Sequence, residues 1–299
     1  MRSSFMFLLL SALVLTGLFG TPVMAEDPKE AVKETAIAAP PSDRLYWASL
    51  SILRYNPLGL ETQNRLMYSK RLADSSSVLF RDTFFAIGPL VKLNPAYVKA
   101  GGLIDFQPIA VFNLRLGYEF IDYFGTMGYL QSTAVKNADY DDDLRKDNED
   151  DAYSTKGHHY FAEPTVQMKV GKIAVRSKFG FEYWDLDLHK KDKYFYDATL
   201  DTMVPVKKTV WTNDSDLIYM NGPLALGVRY SAVIPGTDQS HMRVGPLFAY
   251  SFNTNDYTSW NKPTLLVVLG WYLDHPNREG AVPYTLVGFS FSMDFLAAK

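Results

Sequence analysis

Val287-Gly288-Phe289-Ser290-Phe291-Ser292-Met293-Asp294-Phe295 puts five apolar side chains on one face of a strand and Gly, Ser, Ser and Asp on the other. Strict period-two alternation is the mark of a β-strand whose two faces meet different surroundings. The pattern recurs upstream. Phe112, Leu114, Leu116, Tyr118 and Phe120 alternate with Asn113, Arg115, Gly117 and Glu119. Tyr160, Ala162, Pro164, Val166, Met168 and Val170 alternate with Glu163, Thr165, Gln167 and Lys169. Beyond a tight Gly171-Lys172 step, Ile173, Val175, Phe179, Phe181 and Tyr183 alternate with Arg176, Lys178 and Glu182. Segments 224–234 and 241–252 repeat the pattern, with Arg229 and Arg243 on their polar faces.

Alternation does not say which face is inside. A soluble exported β-sandwich or small barrel would bury the apolar face and wet the polar one. A membrane barrel inverts this, with lipid outside and polar groups within. Three features favour the inverted reading. The polar faces hold Gly and Ser, which suit a crowded inner wall. The segments run roughly 9–13 residues, the length of a tilted bilayer crossing, where soluble strands average about 5–6. Aromatic residues gather at segment ends, at Tyr55, Tyr118, Tyr160, Tyr183, Trp211, Tyr250, Trp271, Tyr272 and Tyr284, as interfacial girdles require.

The expected fold is therefore all-β, a transmembrane antiparallel up-and-down barrel of about twelve strands. They are placed at 44–55, 60–71, 78–91, 96–107, 110–134, 157–170, 172–186, 207–219, 223–234, 240–252, 263–273 and 283–295. Ten or fourteen strands are the alternatives, because Gly125-Thr126-Met127-Gly128 could bend one long strand or open a hairpin. Connections alternate between short steps (Gly171-Lys172, Asn221-Gly222-Pro223) and long polar loops (137–156, 187–208, 273–283), with 253–262 as the exception. With the C-terminal end in the periplasm, the long loops lie outside.

Over 44–295 the chain resembles bacterial outer-membrane β-barrel proteins, without a motif tied to one activity. The resemblance implies partners in outer-membrane lipid, lipopolysaccharide and the barrel-insertion machinery, which reads a terminal aromatic residue. Here Phe295 is followed by Leu296-Ala297-Ala298-Lys299, so the aromatic series is present but not terminal.

The N-terminus fits an exported chain. Arg2, an apolar run from Phe5 to Phe19 and Val23-Met24-Ala25 before Glu26-Asp27 describe a signal peptide over 1–25. A membrane anchor is the alternative reading, but the run is short and no basic stop follows. Residues 26–43, with Ala38-Ala39-Pro40-Pro41, read as a disordered periplasmic leader before a single barrel domain, 44–299. The chain has no Cys, so neither disulfides nor a lipidated cysteine hold or anchor it. A net charge of -3 with 21% charged residues gives no reason to expect nucleic-acid binding. No cofactor motif is present.

Function is carried by the polar faces. Arg115, Glu119, Glu163, Lys169, Arg176, Lys178, Glu182, Arg229 and Arg243 are the expected lumen-lining residues, six of the nine cationic. They describe a porin-like channel for small polar or anionic solutes, or else a closed structural or adhesive barrel whose interior charges neutralise one another. Enzyme chemistry has thin support. No His is followed by Ser two residues on, the pattern to which outer-membrane phospholipases and lipid A deacylases are similar. Asp187-Leu188-His189 with Asp141 and Asp143 resembles the omptin-type protease arrangement, but His189 sits among Lys190, Lys191 and Lys193, as a solvated loop histidine would. Asp139, Asp141 and Asp143 alternate as in a calcium loop, yet Leu144 stands where Gly is needed and Asp150 replaces the bidentate Glu, so the stretch 139–151 reads as a mobile acidic loop. Lys190, Lys191, Lys193, Lys207 and Lys208 are placed to meet lipopolysaccharide phosphates. His158-His159 is a further metal candidate lacking a third ligand.

Overall fold

The computed structural model describes residues 40–253, 257–278 and 283–296. The signal peptide 1–25 and nearly all of the leader 26–43 lie outside the described residues; Asp43 already belongs to the first strand.

Among the described residues fifteen strands form. Twelve close into one antiparallel barrel: β1 (Asp43–Tyr55), β2 (Gly59–Arg71), β3 (Phe84–Asn94), β4 (Tyr97–Ile109), β5 (Phe112–Phe124), β7 (Ser154–Val170), β8 (Ile173–Leu186), β11 (Thr209–Asn221), β12 (Leu224–Ile234), β13 (His241–Ser251), β14 (Asn261–Asp274) and β15 (Pro283–Asp294). Neighbours in sequence are neighbours in the wall, and β1 closes the ring on β15 through Tyr46↔Asp294 to Tyr55↔Thr285. The other three, β6 (Ser132–Thr133), β9 (Tyr194–Asp197) and β10 (Thr202–Pro205), make a small separate sheet in the order β10-β9-β6. Closure leaves no wall strand with an unpaired backbone edge, the condition for spanning lipid with strands. No described helix is long and apolar enough to cross a membrane.

Antiparallel succession assigns each connection to a rim. One rim carries 72–83, 110–111, 171–172, 222–223, 252–253 and 257–260 with the start of β1 and the end of β15; the other carries 56–58, 95–96, 125–153, 187–208, 235–240 and 275–278. Gly171 and Gly222 take φ of +56° and +58°, a conformation only Gly adopts freely, and this permits the two tightest steps.

Three element boundaries differ from the sequence reading. The segment expected at 78–91 starts only at Phe84, because Ser77–Thr83 turns on itself through bonds from Phe80 N and Arg81 N to Ser77 O. The segment expected over 110–134 stops at Phe124, where Gly125 and Gly128 (φ +73° and +71°) turn the chain away. The acidic loop 139–151 is folded: Asp141 caps helix α1 (Asp142–Asp147) by accepting from Leu144 N at 2.7 Å, and a 3-10 turn (Glu149–Asp151) follows.

Sidedness is the decisive property. Phe289 and Phe179 are 38% and 42% exposed on the outside of the barrel, with Leu116, Val166, Val175, Leu217 and Val228 likewise exposed. The buried charges Glu61, Lys99, Asp105, Glu119 and Asp216 point inward. This is the membrane order, greasy outside and ionic within. Tyr55, Tyr118, Tyr160, Tyr183, Trp211, Tyr250 and Trp271 are exposed on the outside, but Tyr272 and Tyr284 are buried and face inward, as their parity against Trp271 and Val287 requires. The outer face also has polar spots. Ser177, Asn213 and Ser215 satisfy one another at 2.8–3.0 Å, and Ser51 pairs with Thr62 at 2.5 Å. Groups at lipid depth must find such partners within the protein.

Candidate functional site: the lumen and its outer stopper

Inside the barrel lies a cavity of about 410 Å3. Its walls are of two kinds. On β5, β7, β8, β11 and β12, parity turns long charged side chains inward, and they pair across strands. Arg115 Nε reaches Asp105 Oδ2 at 2.9 Å, and Lys178 Nζ reaches Glu163 Oε1 at 3.0 Å. Arg229 Nε meets Asp216 Oδ1 at 2.7 Å, and Arg176 bonds the same carboxylate. Lys92 Nζ meets Glu119 Oε1 at 2.8 Å, and the other oxygen of Glu119 meets His159 Nδ1 at 2.9 Å. Facing these, β14, β15 and β1 present Leu266, Val268, Leu286, Leu50 and Ile52.

Charge is sorted by depth as well as by strand. Nine cationic side chains line the cavity (Arg54, Arg65, Lys92, Lys99, Arg115, Arg176, Lys178, Arg229, Arg243) against five carboxylates (Glu61, Glu163, Glu182, Asp197, Asp214). Asp105, Glu119 and Asp216 sit behind them, their carboxylates all but buried, and hold the cationic stems from the wall side. The surface a solute meets is more positive than the composition of the strands.

The end of the cavity at the long-loop rim is covered. Loops 125–153 and 187–208 bring β6, β9 and β10 together over it. Phe195 and Val204 are fully buried and Leu200 nearly so, packed with the inward-facing Tyr97, Ile121, Tyr123, Trp184, Leu186, Val210 and Val233 of the wall. Asp197 makes the turn between β9 and β10 by accepting from Thr199 N and Leu200 N at 2.8 and 2.9 Å. The sheet is tied around the rim: Arg54 donates to Thr199 O and Oγ1, Thr202 to Gln239 O, and Leu200 O pairs with His241 Nε2 at 2.7 Å. Its main tie is Asp201, buried, with φ +53°. Its carboxylate accepts from Tyr196 Oη (2.8 Å), Tyr272 Oη (2.7 Å), and Arg278 Nε and Nη2 (2.7 and 3.0 Å), with His275 Nε2 at 3.2 Å. Burial would raise the Asp201 carboxyl, but bonds from His275 and Arg278 outweigh it and hold the group well below the usual carboxylate range. Burial also raises the Tyr196 hydroxyl well above its ordinary value, so it stays a donor.

Arg115, Glu163, Arg176, Lys178, Glu182, Arg229 and Arg243 are placed around the cavity. Glu119 is inward but covered behind Lys92 and His159, and Lys169 is exposed beside the Gly171 turn. Sequence reasoning did not find Arg54, Glu61, Arg65, Lys92, Lys99, Asp214 and Asp216, which lie on strands with broken alternation. It also missed the apolar wall, although the unalternating run Leu265–Leu269 on β14 is its signal. The 187–208 loop, expected to be polar, buries Tyr194-Phe195-Tyr196 and Met203-Val204 because it folds into the mouth instead of standing in water.

The remaining candidates are dispersed. Asp187 is exposed, and the His189 ring stacks on Tyr153 with centroids 3.6 Å apart. Asp141 caps α1, Asp139 accepts from Asp141 N and from Asn277, and Asp143 is exposed on α1. Among the described residues no three metal-ligating side chains converge. His158 faces out, its Nδ1 2.9 Å from Tyr118 Oη, whereas His159 faces in, so adjacent strand positions separate the pair. Lys190, Lys191, Lys193, Lys207 and Lys208 are all exposed on the outer loop.

No family profile and no curated protein sequence matches the chain. Solved structures align with it at low identity and low TM-score. A KdgM porin aligns with a TM-score of 0.37 at 9% identity, over 83% of this chain and 98% of that one. The Pseudomonas putida toluene transporter TodX gives 0.35 at 9%, over 85% and 89%. The outer membrane protein OprD from Pseudomonas aeruginosa gives 0.31 at 9%, over 86% and 94%.

Proposed function

We propose that the chain is a porin-like outer-membrane channel for small polar or anionic solutes, exported by residues 1–25 and stoppered at its outer mouth by the β6–β9–β10 sheet. The observation that carries this reading is the cavity within the closed barrel, faced by nine cationic side chains and only five carboxylates. Residues 26–42 serve as a periplasmic leader. The exposed lysines of loop 187–208 meet lipopolysaccharide phosphates in the outer leaflet.

Planar-bilayer conductance of the refolded protein tests the channel. Discrete steps with a zero-current potential favouring chloride over potassium are expected. Silence of both the wild-type chain and a chain whose stopper has been cut out would favour the second reading, a closed structural or adhesive barrel. That reading draws support from the dry cluster around Phe195 and Leu200 at the mouth. The reading assigns no catalysis. Peptidase activity abolished by Asp187→Ala or His189→Ala would reverse that.

A further inference from the structure

The apolar wall of the cavity is bounded on each side by a guanidinium with no carboxylate in direct contact. Along β14, β15 and β1 the inward positions Leu266, Val268, Leu286, Leu50 and Ile52 form a continuous strip, since Val268 pairs with Leu286 and Leu286 lies beside Arg54 and Ile52 across the β1–β15 seam. On the β13 side, the Arg243 guanidinium sits over the Tyr284 ring, 4.0 Å from its centroid, one inward position from Leu286. On the β2 side, Arg65 pairs in register with Ala48, one inward position from Leu50. Neither Arg243 nor Arg65 makes an ion pair or a hydrogen bond with a described residue, whereas Arg115, Arg176, Lys178 and Arg229 are all matched to carboxylates. Asp214 and Asp201 act on Arg243, and Asp105 and Glu163 on Arg65, only from beyond contact distance. An enclosed cation with no direct counter-ion is costly, and an apolar strip in a polar lumen gains nothing from facing water. One ligand chemistry relieves both.

We propose that the lumen selects small organic anions with an apolar body, aliphatic or aromatic monocarboxylates, with the carboxylate received by Arg243 or Arg65 and the body laid on the Leu50–Leu286–Val268 strip. This rests on the channel reading for its transport role, but the site itself is a binding site and can be measured without conduction. Hydrated inorganic anions and neutral sugars meet only half of it.

The test uses the full-length refolded barrel. Binding of hexanoate, benzoate, acetate and sulfate is followed in detergent by calorimetry, with quenching of Trp184, which lines the cavity, as the second readout. The same anions are titrated against the chloride current in planar bilayers. Hexanoate and benzoate should bind at least tenfold more tightly than acetate, because each buried methylene contributes about 0.8 kcal/mol. Arg243→Gln should weaken them about tenfold, a 1.4 kcal/mol change. Leu286→Ser should remove the preference over acetate. Equal affinities for hexanoate and acetate, or an Arg243→Gln, Arg65→Gln double variant that binds as the wild type does, would overturn the site. Conductance without such a preference would sink this proposal and spare the channel. Preferential binding without conductance would do the reverse.

Discussion

Asp201 concentrates the forces that close the outer mouth. One carboxylate takes bonds from Tyr196 in its own sheet, Tyr272 of β14, and His275 and Arg278 beyond it, so a single side chain couples the stopper to the wall. Asp201→Asn leaves the volume but removes the buried carboxylate that Arg278 and His275 meet, leaving Arg278 only the exposed Asp142, and breaking a buried pair in this way costs about 3–5 kcal/mol. The expected outcome is faster protease cutting within 194–205 and a higher open probability in bilayers, with the barrel still folded. The pH dependence follows from the lowered carboxyl. A group whose folded value lies below its free value stabilises the closed form fully above the free value, near 3.8, and loses that contribution only as pH falls towards the folded value. Open probability should therefore be flat with respect to Asp201 from pH 5 to 8 and rise only under stronger acid; an opening transition near neutrality would exclude this latch as the controlling group. Asp201 was invisible in the sequence because Tyr272 and Arg278 come 71 and 77 residues later, and nothing in Ala198–Thr202 announces them. Arg115, Lys178 and Arg229 were readable, since each occupies the polar phase of a strand that alternates cleanly.

At the level of elements, β9 and β10 are stabilised less by their few ladder bonds than by Phe195, Leu200 and Val204 against Tyr123, Trp184 and Val210. Phe195→Ala should cost about 3–5 kcal/mol of local stability, seen as accelerated hydrogen exchange confined to 194–205 with the wall strands unaffected. Replacing 194–205 by a Gly-Ser linker should enlarge the single-channel conductance, because the cover over the cavity is then gone. The paired triplets Tyr194-Phe195-Tyr196 and Met203-Val204-Pro205 were the available hint of a folded insert, too short to outweigh the lysines around them. The first four strands alternate least cleanly, and of these β1 and β2 carry Ser49, Ser51, Thr62 and Asn64 on their outer face, as β11 carries Asn213 and Ser215. Hydrogen bonds among such groups let polar residues stand on the outer surface, and this erases the period-two signal.

For the whole molecule, strand number and sidedness were legible because lipid imposes one alternation on every crossing strand, while the stopper was not, because it answers to a private set of contacts. Phe179→Lys tests the sidedness directly. At mid-strand on the lipid face the substitution should destabilise the barrel by about 2–4 kcal/mol, measured by reversible unfolding in bilayers. A soluble barrel exposing the same face to water would tolerate it. Selectivity also belongs to this scale. Arg176→Glu together with Arg229→Glu should shift the zero-current potential in a potassium chloride gradient towards cations, since both guanidinium groups front the buried Asp216. An unchanged potential would mean that the measured current bypasses this cavity. An even number of wall strands has a topological corollary: the chain enters β1 and leaves β15 at the same rim, opposite the covered mouth. Epitopes spliced ahead of Asp43 or after Phe295 should stay hidden from antibody added to intact cells, and one spliced at Thr237 should be stained.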